Sequence, residues 1–285
     1  MLSSSRAGSV DILLAASLWG TTGTVRTFSA VGPIEGGAAK TILGGLLLAG
    51  LAARGSRLRA LLTQGRRVWI LLALGALCVA DFQMAFFAAV VRTGVATGTV
   101  VTIGSAPVFA GLLAGSRPGG RWWFSTAAAV GGCALLVGGG QSAGVEPLGV
   151  GLALLSGLGY AAYATIAGRL IRDGADDRAV IGSLFAGAGL VLIPALVFGS
   201  LGPMATVSGA LVVLYLGVVT TAVPYVLYAR GLRTIPVPVA TTLGLAEPAV
   251  AALLGLTVLG ERLAPVALAG LALVAAALVV LILRP

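Results

Sequence analysis

The chain has 285 residues, 58% of them apolar and 9% charged, and its mean hydropathy of +1.07 excludes a water-soluble globule, which needs far more polar surface to coat itself. At roughly 20 apolar residues per spanning helix plus short connections, this length holds about ten membrane spans and leaves no room for a soluble domain. The net charge of +9 would suit nucleic acid if the basic residues formed one patch, but they are scattered between apolar runs and point to membrane topology instead.

Apolar runs predict spans at 12–30, 34–53, 68–90, 95–115, 123–140, 147–168, 180–198, 208–230, 237–258 and 264–283, an all-α integral membrane protein of ten transmembrane helices. Merging two neighbours would require a helix about twice the length that crosses a bilayer. The first run follows Arg6 and continues through Thr21 to Ser29 with no small-residue cleavage site, so it reads as a span and not as a cleaved signal. It carries Trp19 and Arg26; the second opens at Glu35 and holds Lys40; the third has Asp81 near its middle with Gln83 close by. Pro107 interrupts the fourth, Tyr160 and Tyr163 lie in the sixth, Tyr225 and Tyr228 in the eighth, and Glu247 followed by Pro248 in the ninth. The 43 glycines fall inside apolar runs without a three-residue period, as expected for close helix packing in lipid. Cys78 and Cys133 lie far from any metal or redox spacing and read as small core residues.

With the N-terminus inside, cytoplasmic connections and span ends hold Arg6, Arg54, Arg57, Arg59, Arg66, Arg67, Arg117, Arg121, Arg169, Arg172, Arg178, Arg230, Arg233 and Arg284, which is 14 of the 18 basic residues. Only Arg92 and Arg262 fall outside, and Arg26 and Lys40 lie within spans. This is the positive-inside pattern for both termini cytoplasmic.

Compared with itself at an offset of 141 residues, the chain places Trp19 on Tyr160, Ala88 on Ala229, Arg92 on Arg233, Thr93 on Thr234 and Pro107 on Pro248. Five spans per half is an odd number, so the second half enters from the opposite side: two inverted five-helix repeats, 1–143 and 144–285. Such repeats recur in carriers, where rocking one half on the other exposes a central site alternately to each side.

A charge near the bilayer centre costs several kcal/mol, so the ones retained there line a cavity or pair with each other. Asp81 is a candidate for exchanging a proton on each transport cycle, because desolvation penalises a charged carboxylate; the alternative is a structural acid paired with Lys40 or Arg26. Arg26 and Lys40 both lie in the outer halves of their spans, where long side chains can snorkel to the interface, and for Lys40 a cavity-facing or Asp81-paired role is the equal alternative. Basic and acidic groups in one cavity would suit a zwitterion such as an amino acid. Pro248 cannot donate the hydrogen bond due at Gly244, so backbone beside Glu247 is free to meet a ligand, or else Glu247 caps the loosened turn. Trp19, Tyr160, Tyr163 and Tyr225, with Gln83, are candidates for an aromatic-lined pocket, the alternative being core packing or interfacial anchoring, and anchoring is the expectation for Tyr228. Pro107 and Pro248 at matched positions predict paired helix irregularities. There is no histidine, P-loop, GxGxxG turn or nucleophile elbow, so neither an enzyme nor a cofactor is expected.

Three stretches carry a family resemblance: Leu18-Trp19-Gly20, the run from Pro224 to Pro236, and the run from Ala246 to Glu261 with its Glu-Pro and Leu-Gly-Glu. In these the chain resembles the EamA type of the drug/metabolite transporter superfamily. It departs from that pattern in the first half, which has Ala106-Pro107 where the second has Glu247-Pro248 and reads Gly115-Ser116-Arg117 after the fourth span. The resemblance implies a ten-helix carrier of the bacterial plasma membrane, commonly an exporter of amino acids or related metabolites; protons, from the reading of Asp81, are the candidate coupling ion. The alternative is a membrane scaffold or accessory subunit without transport of its own.

Overall fold

The computed structural model describes residues 2–53, 57–115, 118–138, 146–260 and 264–283, and Arg54, Ser116, Arg117, Glu261, Arg262, Arg284 and the junction of the two expected halves lie outside them. The described residues are helical throughout, with no strand. In chain order the helices are α1 (Leu2–Arg26), α2 (Pro33–Ala53), the short α3 (Arg57–Leu62), α4 (Arg66–Leu113), α5 (Gly120–Gly138), α6 (Pro147–Arg172) and α7 (Asp177–Val197). A 3-10 turn (Gly202–Ala205) precedes α8 (Val207–Gly217), a π turn (Val218–Ala222) joins it to α9 (Val223–Gly231), and α10 (Val237–Leu243), α11 (Ala246–Val258) and α12 (Pro265–Leu283) follow.

Among the described residues, seven segments are long and apolar enough to cross a membrane: Pro33–Ala53, Arg66–Gly94, Pro147–Arg172, Asp177–Val197, Val207–Gly231, Val237–Val258 and Pro265–Ile282, with Thr97–Leu113 a shorter apolar helix. Large apolar side chains such as Leu46, Leu77, Leu112, Phe124, Leu190 and Val279 point outward. A surface of that kind is stable in hydrocarbon and costly in water. The molecule is a multi-pass helical membrane protein.

Three departures from the expected spans have local causes. The first helix begins ten residues early, at Leu2 and not 12, because its polar start is satisfied inside the protein: Ser9 Oγ donates to the Ser5 carbonyl at 3.1 Å and Asp11 pairs with Arg230 at 3.5 Å. The third and fourth spans, numbered together as α4, are two helices as expected, parted at Gly94, whose φ of 81° and ψ of 159° only glycine adopts readily. The eighth span loosens into the π turn just before Pro224, where Thr220 and Thr221 hydroxyls each donate to the Leu216 carbonyl at 2.9 Å. The ninth is interrupted at Gly244 and Leu245, between α10 and α11. Pro107, by contrast, sits inside helical backbone whose one non-helical residue is Gly94. The expectation of paired irregularities at Pro107 and Pro248 is therefore corrected: the backbone around Pro107 keeps helical dihedrals, and α4 breaks at its glycine, whose missing Cβ makes a positive φ cheap.

The helices pack in distinct pairs: α2 on α7, α5 on α12, α1 on α9 and α11, and α6 on both arms of α4. The α5–α12 contact brings backbones together, since a Cβ at Gly132 would stand 2.8 Å from the Gly270 carbonyl oxygen and one at Gly270 would stand 2.5 Å from that of Gly132. Small residues allow this approach, which substitutes in lipid for the missing hydrophobic drive between helices. Hydroxyls add bonds across other contacts: Ser156 Oγ donates to the Phe82 carbonyl at 2.8 Å and Thr102 Oγ1 to that of Ala153 at 3.1 Å.

Candidate functional site

On α1, Trp19, Thr22, Gly23 and Arg26 stand at i, i+3, i+4 and i+7, one face of the helix. That face borders a cavity of about 140 Å³ whose other walls come from α2 (Lys40), both arms of α4 (among them Phe82, Gln83, Phe87 and Thr99), α6 (Tyr160, Tyr163), α9 (Tyr225) and α11 (Glu247). The helix contacts described above bring these elements around one space. Residues separated by more than two hundred positions in the chain therefore share a wall.

The lining is aromatic. Trp19 lies 5.1 Å from Tyr225, ring centre to ring centre, Tyr160 stacks on Tyr163 at 5.4 Å, and Phe82 reaches Tyr160 at 5.3 Å. Tyr228 is fully buried behind this layer, 5.5 Å from Trp19. The interfacial anchoring expected for Tyr228 is thus corrected: its helix turns the ring inward, against α1. The polar atoms of this layer are under-used, because Trp19 Nε1, Gln83 Nε2 and the hydroxyls of Tyr160, Tyr163 and Tyr228 are buried without a well-formed hydrogen bond. Each such donor carries a desolvation cost that a bound polar ligand would relieve.

The charges enter from three helices. Arg26 places its guanidinium 5.2 Å from the Phe87 ring centre and Lys40 its ammonium 5.8 Å from the same ring, a cation–π arrangement. Glu247 occupies the first turn of α11, where its N–H donates to the Gly244 carbonyl at 3.0 Å, taking the acceptor that Pro248 cannot serve. The interruption of the ninth span thus sets a helix start at the cavity wall, the construction by which carriers place ion and substrate groups at mid-membrane. Lys40 and Glu247 both line the cavity. They form no direct ion pair; the close pairs among the described residues are Arg57–Asp176, Arg92–Glu146, Arg230–Asp11 and Arg233–Asp177.

Of the residues singled out in the sequence, Trp19, Arg26, Lys40, Gln83, Tyr160, Tyr163, Tyr225 and Glu247 come together at this cavity, and Asp81 does not. Asp81 faces a groove between α4 and α6, among Leu77, Cys78, Leu158 and Gly159, and pairs with neither Lys40 nor Arg26. Helical geometry explains the separation, since residues two apart point roughly 200° from one another, so Gln83 and Asp81 serve opposite faces. Phe82, Phe86 and Phe87 line the cavity without having been singled out; their spacing on the face of Gln83 and Val90 was the available signal.

Comparison with known proteins follows from this geometry. Residues 147–283 match the model of the EamA-like transporter family. The uncharacterized transporter YwfM of Bacillus subtilis (strain 168) is 36% identical over 285 residues, covering 97% of this chain and 94% of that protein. The uncharacterized inner membrane transporter YicL of Salmonella typhimurium is 28% identical over 272 residues, covering 91% and 89%. A solved crystal structure shares the fold, with a TM-score of 0.80 at 19% identity over 96% of this chain and 95% of that one.

Proposed function

Since this chain belongs to the EamA-like transporter family of the drug/metabolite transporter superfamily and is a membrane transporter, we propose that it is a secondary carrier exporting amino acids or related small metabolites by alternating access in exchange for protons. The observation that carries this reading is the aromatic cavity in which Arg26, Lys40 and Glu247, brought from three separate helices, meet unpartnered polar atoms. Its small volume suits a metabolite and falls below the range of drug-sized sites.

In this reading ten spans form two inverted halves, 1–143 and 144–285. The packing pairs support it, because exchanging each helix for its counterpart leaves the scheme unchanged: α2 with α7 and α5 with α12 are self-matched, and α1 on α9 and α11 mirrors α6 on the two arms of α4. At the 141-residue offset, Gly8 abuts Thr234 as Gly149 abuts Thr93. The arginine distribution supports cytoplasmic termini in a bacterial plasma membrane. The proton-exchanging group is Glu247 and not Asp81, because only Glu247 stands where substrate and proton can compete. A scaffold without transport would leave a charged, unsatisfied cavity without purpose.

Counterflow of labelled amino acids and related acids in proteoliposomes tests the reading. Exchange above protein-free liposomes for at least one compound is expected; none across a broad panel would overturn it.

A further inference from the structure

The charges of the cavity do not balance. Among the described lining residues Arg26 and Lys40 are the cations and Glu247 the one acid. An arginine stays charged in proteins, and whether Glu247 bears its charge or a proton, a charged Lys40 leaves the space net positive. The close ion pairs elsewhere engage Asp11, Glu146, Asp176 and Asp177, while Glu35 accepts from the Ser200 N–H at 3.5 Å and Asp81 faces the separate groove. No described acid forms a close ion pair with Arg26. Its nearest recorded partner is the Phe87 ring, which attracts a cation without neutralising it.

The unpartnered side-chain atoms tell the same story. Among those at the cavity, Trp19 Nε1 and Gln83 Nε2 are donors only. A ligand that completes this set is rich in acceptors and brings a negative charge. Behind the charged groups the walls are Trp19, Tyr160, Tyr163, Tyr225 and Phe82, so the remainder of the ligand is apolar.

We propose that the cavity takes an organic monoanion, a carboxylate on an aromatic or otherwise apolar body, with the carboxylate directed at Arg26 and Lys40 and the body on the aromatic wall. This inference rests on the carrier reading and sharpens it: an α-amino group is dispensable, because a zwitterion leaves the positive charge of Arg26 uncompensated. Lys40 and Glu247 offset one another, and the carboxylate supplies what Arg26 lacks.

The test uses the full-length protein in lipid nanodiscs and four probes of one shape and different charge: 3-phenylpropionate, its amide, phenylalanine and phenethylamine. Binding is read by competition and by thermal shift. The acid is expected to bind at least about tenfold more tightly than the amide and phenethylamine, and no more weakly than phenylalanine. Arg26→Gln should weaken the acid about tenfold and leave the amide unchanged, with Arg26→Lys restoring part of the loss and guarding against misfolding. Preference for phenethylamine or phenylalanine, an equal effect of Arg26→Gln on acid and amide, or no binding of any probe to folded protein would overturn the assignment. The two readings fail differently: binding in the expected order without counterflow would sink the carrier and keep the site, whereas counterflow of an amino acid with no binding of the acid would do the reverse.

Discussion

Asp81 and Glu247 are both acids inside apolar helices, yet their surroundings give them different work. Glu247 shares a cavity with Lys40 and Arg26, and Asp81 rests over Gly159 in the α4–α6 groove. A proton exchanged at Glu247 changes the charge that a substrate meets; one exchanged at Asp81 does not. Glu247→Gln is therefore expected to abolish the response of transport to an imposed pH gradient, while Asp81→Asn keeps it. Proteoliposome flux with and without the gradient checks this, and the opposite pattern would return the proton site to Asp81. Both acids were visible in the sequence. Their roles were not, because the distinction lies in which helix face meets which neighbour.

At the scale of elements, close backbone approach holds the α5–α12 pair. A methyl at Gly270 would lie 2.5 Å from both the Gly132 carbonyl oxygen and the Leu136 nitrogen, neither of which can rotate away. Gly270→Ala is thus expected to force the helices apart at a cost of about 1–3 kcal/mol, seen as a lower melting temperature in detergent. Gly131→Ala is the control, since a Cβ there meets nothing within 4 Å, and the better helix former should leave stability unchanged or slightly raised. Equal melting temperatures for the two variants would refute the packing argument. Glycine abundance announced tight packing, but adjacent Gly131 and Gly132 differ only in the direction each faces. In α4 the break falls at Gly94, between the expected third and fourth spans, and the helix runs through Pro107 with helical dihedrals.

For the whole molecule, the arginine distribution supports the proposed cytoplasmic N-terminus. In a background lacking Cys78 and Cys133, a single cysteine at Ser200 should react with an impermeant thiol reagent in intact cells, and one at Gln64 only after the cells are opened. Both positions are exposed to solvent at the surface. Reversed labelling would invert the orientation and with it the direction assigned to export.

The sequence by itself determined the membrane character, because hydrophobic length acts locally along the chain and needs no partner, and its short motifs such as Glu-Pro and Leu-Gly-Glu pointed to the family. It also named eight of the residues that meet at the cavity, since charges and aromatic pairs inside apolar runs are costly enough to stand out. Tertiary structure alone decided that Asp81 lies apart, that Phe82, Phe86 and Phe87 belong to the wall, that Tyr228 is buried, and that the interruption falls at Gly244 without a twin at Pro107. Each of these depends on the rotation of one helix against another. That rotation is set by side-chain packing between segments far apart in the chain, which hydropathy along a single run does not record.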